Sequence, residues 1–121
     1  IKSRNFGTFA MQDRSSAFKR DIESYMEQKS QPIDELLFRN QIQCYTLANK
    51  DIDKFSKCMV DFTQNFEKQL DSLKFRNTFL IAQGLECFDA AKGDEAKLQG
   101  CTADIHKRID ASYASFFRSV Q

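Results

Sequence analysis

The residues whose types could carry chemistry are four cysteines and one histidine. The cysteines fall into two pairs, Cys44 with Cys58 and Cys87 with Cys101, with thirteen residues between the members of each pair. A metal site of the Cys-x2-Cys kind needs ligands two to four residues apart, and this spacing does not supply them. A nucleophilic thiol needs a neighbouring base or a Cys-x-x-Cys motif, and the only histidine is His106. Asp104 and Asp110 flank His106. On a helix, residues two apart do not face each other, and His106 with Asp110 at i, i+4 makes an ordinary surface pair. Gly-rich phosphate loops and nucleophile elbows are absent from the sequence. The expectation is therefore a protein with no catalytic residues, no metal, no cofactor and no small-molecule substrate. Two readings stay open for the thiols: paired disulfides, or free cysteines buried as small hydrophobes.

Helices must position these cysteines. Phe18, Ile22, Tyr25 and Met26 form one apolar stripe on a short amphipathic helix from about Ser15 to Lys29. Ser30-Gln31-Pro32 should end it, because proline disfavours the helical conformation in the residue before it. A second helix starts near Pro32, with Asp34 and Glu35 complementing its N-terminal dipole, and fades at Asn49-Lys50-Asp51. From Ile52 the helical period runs through Phe55, Met59, Phe62, Phe66, Leu70 and Leu73 to about Ala91, roughly 40 residues and ~60 Å. Lys92-Gly93-Asp94-Glu95 marks the next turn, with Gly93 suited to a left-handed cap. A last helix reaches about Ser119 through Leu98, Cys101, Ile105, Ile109, Tyr113 and Phe116 or Phe117.

Each cysteine pair straddles one turn. If each bridges an antiparallel hairpin, facing residues have numbers that add to 102 in the first hairpin and 188 in the second. The rule pairs Leu47 with Phe55 and Leu36 with Phe66. In the second hairpin it pairs Ala90 with Leu98, Phe79 with Ile109 and Phe75 with Tyr113. Every pair is apolar, which puts the cysteines in register with two hydrophobic seams where a disulfide's Cβ separation of ~3.8 Å is attainable.

At 121 residues the chain suits one domain, and no Ser/Gly/Pro-rich linker divides it. The expected organisation is an N-terminal arm over 1–14 and a single helical domain over 15–121, with hairpin one at about 33–70 and hairpin two at about 75–120. The fold class is all-α: two disulfide-stapled hairpins sharing a long central helix, plus a short N-terminal amphipathic helix. Eighteen Lys and Arg against 17 Asp and Glu leave almost no net charge, so no nucleic-acid partner is expected. The longest apolar run near the centre, Phe79-Leu80-Ile81-Ala82, is far below the ~20 residues that span a bilayer. Residues 1–20 hold Lys2, Arg4, Arg14, Lys19 and Arg20 against the single acid Asp13, a composition that leans towards a mitochondrial targeting arm or a basic, frayed terminus.

The stretches Leu37–Cys44, Cys58–Phe62, Gln83–Cys87 and Cys101–Ile105 resemble the twin CX3C helical-hairpin proteins of the mitochondrial intermembrane space. Within them, the nearest group is family with sequence similarity 136. The resemblance covers about residues 33–120. It departs from the family at Asn40, Phe62, Gln83 and Ile105, which stand where the outer cysteines fall. The summation rule pairs Asn40 with Phe62 and Gln83 with Ile105, so both outer links are lost as complete pairs. The resemblance implies residence in the intermembrane space, peripheral to the inner membrane, and disulfides Cys44–Cys58 and Cys87–Cys101.

Twelve Phe and three Tyr are a high aromatic load for a chain with little interior. Phe6, Phe9, Phe38, Phe88 and one of Phe116 and Phe117 are expected off the seam, as candidates for a protein interface; alternatively, the first helix covers part of them. The expected partners are other protein subunits of a membrane complex. The expected function is that of an accessory subunit of a respiratory complex or ATP synthase, held by aromatic contacts and the basic arm. The alternative is a chaperone resembling the small Tim proteins.

Overall fold

The structure, a computed structural model, describes residues 6–121, with side chains described from Arg14 onward. Four helices follow one another: α1 (Phe6–Ser30), α2 (Pro32–Ala48), α3 (Ile52–Ala91) and α4 (Glu95–Val120). The all-α, disulfide-stapled architecture expected from the periodicity is present, and α3 is the long shared helix of 40 residues. At 1.5 Å per residue it spans ~60 Å.

α1 starts at Phe6, ahead of the expected Ser15. The junction of α1 and α2 also differs from expectation. Gln31 keeps right-handed helical angles (φ −55°, ψ −38°) although Pro32 follows it. Proline's effect on the preceding residue is a steric bias, and here the chain overrides it. The break comes from the missing N–H of Pro32. The Gln28 carbonyl that it would have bonded instead accepts the Gln31 N–H at 3.4 Å, tightening the last turn of α1.

The two hairpin turns share one design. In Ala48-Asn49-Lys50-Asp51 and Ala91-Lys92-Gly93-Asp94, the two central residues have positive φ: 50° and 70° in the first, 50° and 81° in the second. In each, the aspartate N–H donates to the alanine carbonyl at 3.0 Å. Each aspartate then caps the next helix: Asp51 accepts from the N–H groups of Asp53 and Lys54, and Asp94 from that of Lys97. Equal turns with cysteines at equal distances on both sides make hairpin two a repeat of hairpin one.

One core draws on all four helices, from Ile22 and Met26 of α1 through Leu36 of α2 and Phe66, Leu73 and Leu80 of α3 to Ile105, Ile109, Tyr113, Phe116 and Val120 of α4. α1 lies along hairpin two. Phe18 meets Phe88 while Ile22 lies over Gly84, so α1 runs antiparallel to α3. Arg14 meets Glu95 while Lys29 meets Asp110, so it runs parallel to α4. α2 packs chiefly on α3.

The summation rule identifies which residues are level, but not which way they point. Leu36 and Phe66 are both buried as paired. Phe75 and Phe79, assigned to the second seam, are 75% and 57% exposed, and Ala91 is buried in place of Ala90. The reason is α1. The second half of α3 packs against two helices, so its buried arc centres between them on Leu73, Leu80, Gly84 and Phe88. Phe75 and Phe79 are left outside that arc. Leu47, paired with Phe55, also points outward.

Candidate functional site

Both cysteine pairs are bonded, with Cα–Cα distances of 5.6 Å for Cys44–Cys58 and 5.9 Å for Cys87–Cys101. No cysteine is free, which settles the open reading in favour of disulfides and leaves no thiol to act as nucleophile or ligand. At the positions of the outer cysteines of the resembled family, Asn40 places its Oδ1 3.7 Å from Cys44 Sγ. Gln83 and Ile105 line a cleft together with Cys87 and Cys101, and Gln83 Oε1 is buried there without a hydrogen-bond partner.

Polar side chains fasten α1 to α4. Tyr25 OH donates to Asp110 Oδ1 at 2.7 Å, Lys29 Nζ reaches the same oxygen at 3.1 Å, and the Tyr25 ring stacks on His106 with centroids 3.8 Å apart. The hydrogen bond from Tyr25, then that from Lys29, holds the Asp110 carboxyl below the usual carboxylate range. The bond to Asp110 raises both Tyr25 and Lys29. Together these contacts latch α1 to α4. His106, the expected i, i+4 neighbour of Asp110, also stacks against the Tyr25 ring. Farther along α3, Arg76 donates to Ser112 Oγ and Ser72 Oγ, both at 2.8 Å, and to the Ser112 carbonyl at 3.1 Å. All three acceptors are neutral, so this guanidinium joins α3 to α4 through hydrogen bonds alone. Among the described residues, no group of three or more His, Cys, Asp or Glu side chains comes together in a metal-holding cluster. No described helix is long and apolar enough to cross a membrane.

The aromatic candidates divide. Phe38 is 60% exposed on α2. Phe88 and Phe116 are buried, which corrects their assignment to an interface: Phe88 sits in a small cluster with Ala91 and Leu98 under Phe18, and Phe116 packs edge-on against Phe66 in the main core. α1 accounts for the first, because Phe18 and the Arg14 guanidinium, 6.0 Å from the ring centroid, close over Phe88. Phe117 is half-buried and packs against the same core as Phe116. The side chains of Phe6 and Phe9 lie outside the described residues.

The large exposed hydrophobic side chains gather elsewhere. Among the residues with described side chains, Leu37, Phe38, Ile42, Tyr45, Leu47, Ile52 and Val60 all belong to hairpin one, and only Phe75 and Phe79 lie beyond it. Phe38, Ile42 and Tyr45 are spaced i, i+4, i+7, so they form a second apolar stripe on α2, turned away from Cys44. That spacing was available in the sequence, as was the run Asn40–Asn49, which carries no charged residue. At the tip, Tyr45, Ala48, Lys50, Asp51, Ile52 and Phe55 line an open concavity of about 350 Å³. Such an arrangement is an exposed, contoured and largely apolar surface.

The chain matches no protein-family model, and searches of curated proteins and of solved structures return no match.

Proposed function

We propose that the protein is a non-catalytic accessory subunit of a mitochondrial inner-membrane assembly, a respiratory complex or ATP synthase, held on the intermembrane-space side. We further propose that it is a diverged relative of the twin CX3C helical-hairpin proteins, nearest to family with sequence similarity 136, that keeps only the inner link of each hairpin. The observation that carries the reading is the concentration of exposed apolar side chains on hairpin one, a part of the chain with too few helices to cover them. Contiguous apolar surface of this kind marks a protein contact. Two disulfides support an oxidising compartment, where such bonds persist.

The test is fractionation of mitochondria from the organism that makes the protein. After mild detergent extraction, the protein is expected to co-migrate with an inner-membrane complex on native gels. It should also become accessible to protease once the outer membrane is opened. Elution as a stable ring of identical or paired small chains on size exclusion would favour the chaperone alternative and overturn the subunit reading.

A further inference from the structure

Hairpin one carries an empty counterpart of the bed in which α1 lies on hairpin two. On α3 the two stapled cysteines, Cys58 and Cys87, are 29 residues apart. At ~100° per residue this is eight turns and about 20° more, so both staples leave α3 from nearly the same side. α2 and α4 are therefore arranged along that side one after the other, both antiparallel to α3. Moving 29 positions back along α3, and from Cys101 of α4 to Cys44 of α2, carries the frame of hairpin two onto hairpin one.

The same shift moves the bed of α1. On hairpin two that bed includes Gly84 and Phe88 of α3, with Thr102 and His106 of α4. Their counterparts on hairpin one are Phe55 and Met59 of α3, with Tyr45 of α2 and Asn49 in the turn just past its end. Tyr45 and Phe55 meet edge to face, with centroids 6.4 Å apart, and form two walls of the tip concavity. The equivalence of frame and the groove are separate observations, and they meet at Tyr45 and Phe55. No described helix occupies the groove.

We propose that this groove receives an amphipathic helix of another protein, lying antiparallel to α3 as α1 does. This deepens the accessory-subunit reading and rests on it. Three features fix the chemistry of the occupant. Its buried face is uncharged along α2, which carries no charge from Asn40 to Asn49, and charged or polar residues are confined to the end that meets Lys50 and Asp51. It places a small residue over Phe55: on hairpin two the helix packs against Gly84, where an added Cβ would lie 2.6 Å from Ile22 Cδ1, whereas hairpin one fills that position with a ring. One turn to either side it carries apolar residues, to meet Ile52 and the Phe38–Ile42 stripe. In a second copy the exposed α2 stripe is bulky throughout and α1 is already docked on hairpin two, so neither supplies this pattern. Helix-in-groove recognition with anchors at i, i+3 or i+4, and i+7 is a general mode of protein association.

The experiment places a photo-cross-linking benzoylphenylalanine at position 45, and at position 79 as a control, in the complete chain expressed in its own cells. The expected result is that position 45 joins one segment of another protein, with a small residue flanked a turn away on each side by apolar ones, and that position 79 does not. Tyr45→Glu is expected to lower recovery of the assembly at least tenfold while the disulfides and helix content are retained, and Tyr45→Phe to restore it. Cross-links from position 45 to lipid, to a second copy, or to the same segment as position 79 overturn the proposal. So does undiminished assembly of Tyr45→Glu, which leaves the accessory-subunit reading standing. Absence of the protein from any membrane assembly overturns both.

Discussion

At the scale of single residues, the chemistry of this chain is spent on joining helices. The Asp110 carboxylate takes both Tyr25 OH and Lys29 Nζ, and each bond shifts the titration of its partners. Because the folded Asp110 is held low, its contribution to docking α1 is present above the ordinary carboxylate range and is lost as pH falls through the lowered value. Lys29 and Tyr25 are held high, so their contributions are whole below their ordinary values and fade as pH rises through the raised ones. The latch therefore holds across the neutral range. Asp110→Asn is expected to move the Tyr25 phenol down towards the ordinary tyrosine range, read by phenolate absorbance in an alkaline titration against the parent protein. An identical titration would show that the bond does not form in solution. Of these residues the sequence revealed only the cysteines in their roles. Their equal spacing about two turns is a long-range signal written in residue type, whereas the partners of Asp110 depend on where α1 comes to rest.

At the scale of elements, helices were legible because apolar residues recur at the helical period and breakers are few. Four Gly and one Pro leave little else to build. The phase of α3 was less legible. Phe75 and Phe79 fit the helical period as well as Leu73 and Leu80 do, and the choice between them is made by α1, which sequence spacing alone does not locate. Gly84 is where that choice is enforced, since α1 approaches closely enough for Ile22 to fill the space of a Cβ. Gly84→Ala is expected to be nearly neutral. The gain in helix propensity of about 1 kcal/mol offsets the movement of a flexible Ile22 end. Gly84→Leu adds more volume than rotation can absorb and is expected to cost about 1–3 kcal/mol, the usual range for overpacking. Thermal melts with limited proteolysis check both: cleavage within residues 14–30 should rise for Gly84→Leu and stay low for Gly84→Ala.

At the scale of the whole molecule, stability is unevenly distributed. α4 buries Leu98, Cys101, Ile105, Ile109, Ser112, Tyr113, Phe116 and Val120, whereas α2 buries only Leu36, Cys44 and Ala48. Each disulfide closes a loop of similar length, about 3 kcal/mol in the chain-entropy model. The same contribution is a far larger part of what holds hairpin one. Replacing Cys44 and Cys58 together by serine is expected to release residues 37–62, seen as fast amide exchange confined to that segment while α4 stays protected. Replacing Cys87 and Cys101 together should lower the melting temperature yet leave hairpin two formed. Equal exchange patterns in the two variants would contradict this division. None of it could be read from composition: the sequence displays an apolar stripe, but whether another helix covers it depends on how far α1 and α4 reach.

The 29 residues between Cys58 and Cys87 also set an angle. Because they amount to nearly whole turns of α3, both hairpins stand in phase on one side of a common axle. Seven extra residues in that interval would lengthen the axle by ~10 Å and turn one hairpin by only ~20° against the other. A single extra residue would swing it by ~100°. For this chain, drift in the length of α3 is constrained by rotation more than by distance.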